Sequence, residues 1–401
     1  MRATSYSALT AHRACPNKYQ FRYVQRLTEA ETSYRVMLEF GNWWHALRAA
    51  DSIERGKRLD TLKSCPKGLH LADDLLKLPV APCLEDREPE DYQLKAEVLR
   101  QAAKWWEKLS DEHQEAFLTE LGKPLPDHLA YTDARWREKW AEQLENEAPL
   151  AVEMKWTSTL PKSMGRDTGT EMIGYIDELY YDRKRRIVVA RDHKTHKDLD
   201  GKTSSQDEMM DSQLQVYAWG ANDIVKSWGY PGIRATAYDR VKSVAPKPPT
   251  LTKSGRLSQR GGVSSISSTD LTTYREWAKG PEGKGVFFEG MKKDGSGAGY
   301  YQAEDEIIER LQEQEGWFYR STTPLNRNIV RAHLTAAADT AADIETTLAR
   351  VEKSGEAARN LGPSCKWCEF SDLCRAQMVG GPNGEYDLAV FGLAKRPSYK
   401  S

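Results

Sequence analysis

The stretch MIGYIDELYYDRKRRIVVARDHKT, residues 172–195, constrains the fold more than any other. Two runs rich in β-branched and aromatic residues flank a charged turn, the pattern of a β-hairpin. With the turn centred on Lys184 and Arg185, Asp177 stands directly opposite Asp192. Opposed residues have Cβ atoms about 4.5–5.5 Å apart, and like charges there destabilise the pair. A divalent cation is the usual reason for such a placement, and Mg²⁺ needs only one or two carboxylates besides waters and phosphate oxygens. Lys194, two residues beyond Asp192, projects from the same face. There it can hold, or help deprotonate, a water that attacks a phosphodiester.

The surroundings of the hairpin set the fold class. Residues 1–149 read as mostly helical: SYSALTAHRA opens on Ser5 and Ser7 as candidate N-caps, and Pro16 suits a first turn. The runs FGNWWHALRAA, DYQLKAEVLRQAAKWWEKLSDEH and ARWREKWAEQLENE carry apolar residues at helical spacing. From residue 150 the period changes to that of strands, giving LAVEMKWTSTL, MIGYIDELYYD and RIVVARDHKT. A helix containing QLQVYAWGANDIV and a strand GIRATAYDRVKS follow. This β-β-β-α-β order after helices predicts an α/β protein with a mixed sheet covered by helices. Gln213 and Tyr217, four apart, share one helical face. Glu153 in AVEMKW reads equally as an aid to a second metal or as a solvent-facing side chain. Histidines 12, 70, 193 and 196 are expected at the surface, with His196 and Lys197 as strand-end residues or phosphate contacts.

Charge and cysteine content narrow the partners. With 58 basic and 59 acidic side chains the average surface is neutral, so a nucleic-acid partner requires local concentration of positive charge. Residues 243–267, rich in Ser, Pro, Thr and Gly, read as a flexible loop. Between Asp239 and Asp270 lie Arg240, Lys242, Lys247, Lys253, Arg256 and Arg260 and no acidic residue. Lys253, Arg256 and Arg260 are therefore candidate DNA-binding residues on a mobile arm, with a solvated loop as the plain alternative. No run of about 18 apolar residues is present, and the N-terminal segment is too polar for a signal peptide, which predicts a cytoplasmic protein without membrane contact. Three cysteines crowd into CKWCEFSDLC as Cys365, Cys368 and Cys374, a spacing that suits Zn²⁺ or an iron–sulfur cluster. A fourth ligand is required, and spacing leaves Cys15, Cys65 and Cys83 open.

Taken in order, SYSALTAHRACPNKYQFRYV, FGNWWHAL, GYIDEL, RDHKT, QLQVY and CKWCEFSDLC resemble the PD-(D/E)XK nuclease superfamily. Within it they are most similar to RecB-like exonucleases with an iron–sulfur cluster, including CRISPR-associated and phage relatives. The resemblance spans residues 5–374 and implies a restriction-endonuclease-like sheet at 150–242. Flanking it would be the 1–149 helical region carrying Cys15 and His45, the 243–267 loop, a helical region at 268–359, and a cysteine region and tail at 360–401. It implies that His45, Asp177, Asp192 and the backbone carbonyl of His193 bind Mg²⁺ or Mn²⁺. Lys194 would activate the water, and Gln213 and Tyr217 would support the site. His193 departs from the tyrosine common there, which leaves a backbone ligand intact. Cys15 would complete a 4Fe-4S cluster, with Zn²⁺ as the alternative.

The implied activity is a metal-dependent exonuclease acting on single-stranded DNA or duplex ends, 5′ to 3′, in recombination, replication or repair, with a recombination protein as partner. No phosphate loop of the Gly-x4-Gly-Lys-Ser/Thr type is present, so ATP-driven unwinding is not part of this chain. The alternatives are an endonuclease of the same superfamily and a non-catalytic iron–sulfur DNA-binding adaptor.

Overall fold

The structure, a computed structural model, describes residues 3–29, 35–71, 77–80, 88–162, 169–197, 199, 212–251, 257–258, 266, 268–283, 288–291, 298–301, 307–309, 311, 317–381 and 385–396. Strand β1 (Ala3–Ser5) leads into helix α1 (Tyr6–Ala14), whose N-cap Ser5 accepts from the Ala8 N–H, as its residue type predicts. Helices α2 (Val36–Arg58), α3 (Leu94–Trp106), α4 (Asp111–Leu121) and α5 (Leu125–Lys139) follow. Next come strands β2 (Glu147–Thr159), β3 (Glu171–Asp182) and β4 (Ile187–His196), helix α6 (Ser212–Ser227) and strand β5 (Ile233–Lys242). The expected β-β-β-α-β order is present.

Strand β6 (Phe318–Pro324) was not foreseen in a segment read as helical. It pairs antiparallel with β5, where Arg320 lies opposite Asp239, so its place in the sheet rests on cross-strand partners remote in sequence. Helix α7 (Arg327–Ser354) follows it.

These strands form one mixed sheet of six, in which β4 and β5 run parallel and β2, β3 and β4 antiparallel. One edge of β3 pairs with β2 along its length. The other pairs first with β1, up to Ser5 with Ile173, and resumes with β4 only at Glu178 with Arg191. The ladder along that edge is therefore open from Gly174 to Asp177. The β3–β4 turn is a four-residue loop rather than two, but its centre is unchanged, and Asp182 with Ile187 preserves the predicted register.

Helices cover both faces of the sheet. Apolar side chains of α2–α5 form one core with Val152, Val241 and Phe318, while α1, α6 and α7 enclose the other with Met154, Trp156, Ile176 and Ala190. Trp156, 1% exposed, is seated between two glycines. A Cβ on Gly174 would fall 2.6 Å from the indole and one on Gly220 2.1 Å from it. The glycine of GYID is thus explained by packing. Gly220→Ala is expected to lower the melting temperature: helix propensity favours Ala by about 1 kcal/mol, yet overpacking costs about 1–3 kcal/mol or more. A variant that melts at or above the wild-type temperature would show that Trp156 moves aside freely.

Part of the basic segment is structural. Arg240 is 6% exposed with its guanidinium over the Tyr238 ring, and Lys242 lies over Trp317. Leu257 and Ile266 are buried with Tyr274 and Trp277 in a small apolar cluster, which corrects the reading of 243–267 as loop throughout. Lys253, Arg256 and Arg260 lie outside the described residues. Among the described residues no helix is long and apolar enough to cross a membrane.

Candidate active site and cysteine site

Three carboxylates meet where the β3 ladder opens. On β2, Val152 pairs with Glu178 and Met154 with Ile176, which brings Glu153 opposite Asp177. On β4, continuation of the register from Glu178 with Arg191 brings Asp192 opposite Asp177. Glu153, Asp177 and Asp192 thus form a row across three adjacent strands. Strand alternation slips here: Ala151 and Met154, three apart, face the same core, as do Ile176 and Leu179. The slip on β2 coincides with a φ of 47° at Glu153, a left-handed conformation uncommon for a residue with a Cβ. Strain of this kind persists only where the surroundings over-determine it, and it clusters at functional sites.

Helix α2 brings His45 over the row. A Cβ on Gly41 would sit 3.1 Å from the Thr195 hydroxyl, so glycine lets the helix approach β4 closely. His45, one turn further on the same helical face, has its Nδ1 3.3 Å from Asp177 Oδ2. His45, Glu153 and Asp177 each offer a ligand atom, all within 4.8 Å of one another.

The electrostatics of the row fit a cation. Burial, reinforced by Asp177, pushes the Glu153 carboxyl up to about 8, and burial together with Asp177 pushes Asp192 up to about 7. Burial also opposes ionisation of Asp177, but His45 and the His193 N–H, 2.8 Å from Oδ2, hold it down to about 2. Without added positive charge the row keeps one firm carboxylate and two that resist ionising. A divalent ion would reverse that, and the carboxylate oxygens of the row are donors of the kind that hard divalent cations take.

Lys194 reaches the same place. Its Nζ lies 2.8 Å from Asp192 Oδ2, as the two-residue spacing predicts. The His193 N–H points to the β3 side and donates to Asp177 Oδ2. The His193 side chain corrects a surface assignment: it is 3% exposed, with Nδ1 3.3 Å from Asp239. His12 likewise is buried and bonds the Thr347 hydroxyl at 2.8 Å, whereas His70 is exposed. The His196 carbonyl accepts from the Ser243 N–H at the strand end, and Lys197 is exposed. From the opposite face, α6 presents Tyr217, 9% exposed and edge-on to Trp156 and Tyr6. Burial pushes its hydroxyl up while a hydrogen bond from Gln213 opposes the shift.

Asp192 stands outside the closest ligand trio, paired with Lys194, and Glu153 stands in it. The signal for Glu153 in the sequence was weak: alternation from Met154 and Trp156 points it away from their core, and only the pairing of β2 with β3 sets it beside Asp177.

Cys15, Cys365, Cys368 and Cys374 line one cavity of about 170 Å³ between the N-terminal helices and the C-terminal segment. The Asn360 N–H points at the Cys15 sulfur at 3.5 Å, the Gly362 N–H at Cys365 at 3.4 Å, and the Asn17 amide at Cys374 at 3.5 Å. Three of the four sulfurs thus each face an N–H donor. Phe21 and Phe370 close the cavity at its base. Cys65 is exposed and apart from it, and Cys83 lies outside the described residues.

No curated protein matches the chain. The family model of the PD-(D/E)XK nuclease superfamily matches residues 3–375, a span that includes the carboxylate row, Lys194 and all four cavity cysteines. A mixed sheet flanked by helices, with acidic side chains and a lysine gathered where its ladder opens, is the arrangement that such a match leads one to expect, and the chain belongs to the PD-(D/E)XK nuclease superfamily.

Proposed function

We propose that this chain is a RecB-like exonuclease that hydrolyses phosphodiesters at single-stranded or frayed DNA ends, 5′ to 3′, and carries a 4Fe-4S cluster. Superfamily members are nucleases that use divalent metals such as Mg²⁺. The observation that carries the reading is the row of Glu153, Asp177 and Asp192 in register across three strands under His45.

His45, Glu153 and Asp177 would hold the metal, with Asp192 and the His193 carbonyl completing the oxygen donors. When bound, the metal stabilises charge developing on the phosphoryl oxygens. Asp192 holds the Lys194 ammonium at the row. From there Lys194 directs the attacking water and offsets negative charge in the transition state. Gln213 and Tyr217 fix the wall from which a strand end is presented.

A timed digestion tests the activity. Linear single-stranded DNA labelled at its 5′ end should release label early with Mg²⁺ or Mn²⁺, and a circular single strand should stay intact. Cutting of the circle would replace the exonuclease with an endonuclease of the same superfamily. No digestion of either substrate with either metal would favour a DNA-binding adaptor.

The cluster is supported by Cys15, Cys365, Cys368 and Cys374 lining one cavity, since four cysteine thiolates are the ligand set that such a cluster takes. Its role would be structural: it would tie residue 15 to residue 374 and close a long loop. Anaerobically purified protein should contain iron and acid-labile sulfide in equal amounts, and Cys15→Ser should lose both. Stoichiometric zinc without sulfide would overturn the cluster.

A further inference from the structure

A cavity of about 550 Å³ opens between α6, the start of β5 and the start of α7, on residues that the nuclease site does not use. It lies toward the C-terminal end of α6. At about 1.5 Å per residue, Lys226 is roughly 20 Å along that helix from Gln213. Its inner surface is apolar: Trp219, Leu325 and Val330 are half-buried and Leu334 is buried. Arg234, Arg327 and Arg331 stand exposed in its lining. None of the three has a carboxylate partner among the described residues, whereas the neighbouring Lys226 pairs with Asp223 at 3.0 Å. No described residue lining the cavity is acidic.

This placement serves the fold poorly. Arg327 occupies the first position of α7, where the helix dipole disfavours a cation, and that first turn holds no acidic residue to balance it. Three like charges around one opening also repel one another. An apolar pocket of this size, rimmed by arginines with no carboxylate partner among the described residues, is complementary to an anionic ligand with an apolar anchor.

We propose that this cavity docks an acidic peptide segment of a partner protein, with one large apolar side chain inserted and its carboxylates on Arg234, Arg327 and Arg331. Arginine matches carboxylates with paired N–H donors, and a buried apolar anchor inside a polar rim is the usual anatomy of a small docking site. The lining suits a peptide better than a DNA strand. Strand-binding surfaces offer successive aromatic platforms, and here Trp219 is the one aromatic residue among the lining. A base edge needs hydrogen-bonding groups, but the Asn222 carbonyl is occupied by the Ile233 N–H at 3.0 Å, which leaves its amide and Thr335 as the uncharged side chains best placed to serve.

The test is fluorescence anisotropy with the full chain and a fluorescein-labelled oligo-aspartate peptide ending in Leu-Phe. The peptide should bind in a salt-dependent manner. Replacing its Leu-Phe by Ser-Ser, or introducing Arg327→Glu with Arg331→Glu into the protein, should weaken binding roughly tenfold or more. Both arginines are exposed, so the double variant should fold and digest a free oligonucleotide at the wild-type rate. Absence of peptide binding, or binding unaffected by the charge reversals, overturns the proposal. Displacement of the peptide by oligothymidylate, with the double variant losing oligothymidylate affinity, overturns it in favour of a DNA track.

Discussion

Asp177→Asn is expected to lose metal-dependent hydrolysis by about 10³-fold or more, the scale on which positioned charge stabilises a phosphoryl transition state. Asp177 is the one member of the row held firmly ionised, down to about 2, and it adjoins both Glu153 and Asp192. Its neutralisation removes the centre of the donor set rather than an edge. The fold should survive, because the asparagine oxygen can still accept the His193 N–H and because one source of carboxylate repulsion is gone. In metal-free buffer the melting temperature of the variant should fall modestly, because a carboxyl held down to about 2 contributes stability in its ionised form, a loss offset in part by the relief of Glu153 and Asp192. Saturating Mg²⁺ should raise the wild-type midpoint, by about 2.7 kcal/mol of stability at a hundredfold excess over the dissociation constant, and leave the variant unmoved. Retained hydrolysis by a folded Asp177→Asn protein would show that the metal sits elsewhere.

Arg191→Leu is expected to cost about 3–5 kcal/mol of stability, the consequence of leaving buried carboxylates unpaired. The Arg191 side chain is fully buried, with Nη1 2.8 Å from Glu178 and Nη2 2.6 Å from Glu147. Its guanidinium also lies 4.1 Å from the Tyr180 ring centroid. Around it, Ser52 donates to Glu178 at 2.8 Å, and Arg320 bridges Glu147 at 3.1 Å and Asp239 at 3.2 Å. Trp136 Nε1 donates to Asp239 at 2.9 Å. This set of charges joins α2, α5 and five strands beside the site. Arg191→Lys should recover only part of the loss, since an ammonium lacks the fork that reaches two carboxylates at once. Denaturant titration with an unchanged slope and a lowered midpoint is the expected result. A wild-type midpoint for Arg191→Leu would mean that water enters and solvates Glu147 and Glu178.

The same residues mark the boundary of what was legible. The opposition of Asp177 and Asp192 followed from an even turn and strand alternation, both local properties, and the four-residue loop kept the centre on which it depended. Lys194 followed from its two-residue spacing. Arg191 and Glu178 stand opposite each other in that same register, but nothing local reveals that Glu147 arrives from 44 positions before Arg191 to pair with it, or that Arg320 comes from far beyond it to pair with Glu147 and Asp239. Arg240 and Lys242 were counted toward a basic arm, yet rings of Tyr238, Tyr319 and Trp317 take them up within the sheet. The three cysteines of the C-terminal run were conspicuous. Spacing alone left three choices for a fourth, and the fold places Cys15 in the cavity that those three line.

By itself the sequence determined the β-β-β-α-β core, the register of its central hairpin and the presence of a carboxylate pair with a lysine beside it. These depend on period, turn length and residue type within about twenty positions. The tertiary structure decided that Glu153 joins the row, that His45 stands over it, and that a layer of buried ion pairs lies beside it. Those outcomes require a slip in strand alternation at a left-handed Glu153 and the close approach of α2 at Gly41. Each is set by packing between segments far apart in the chain, for which no local pattern exists to be read.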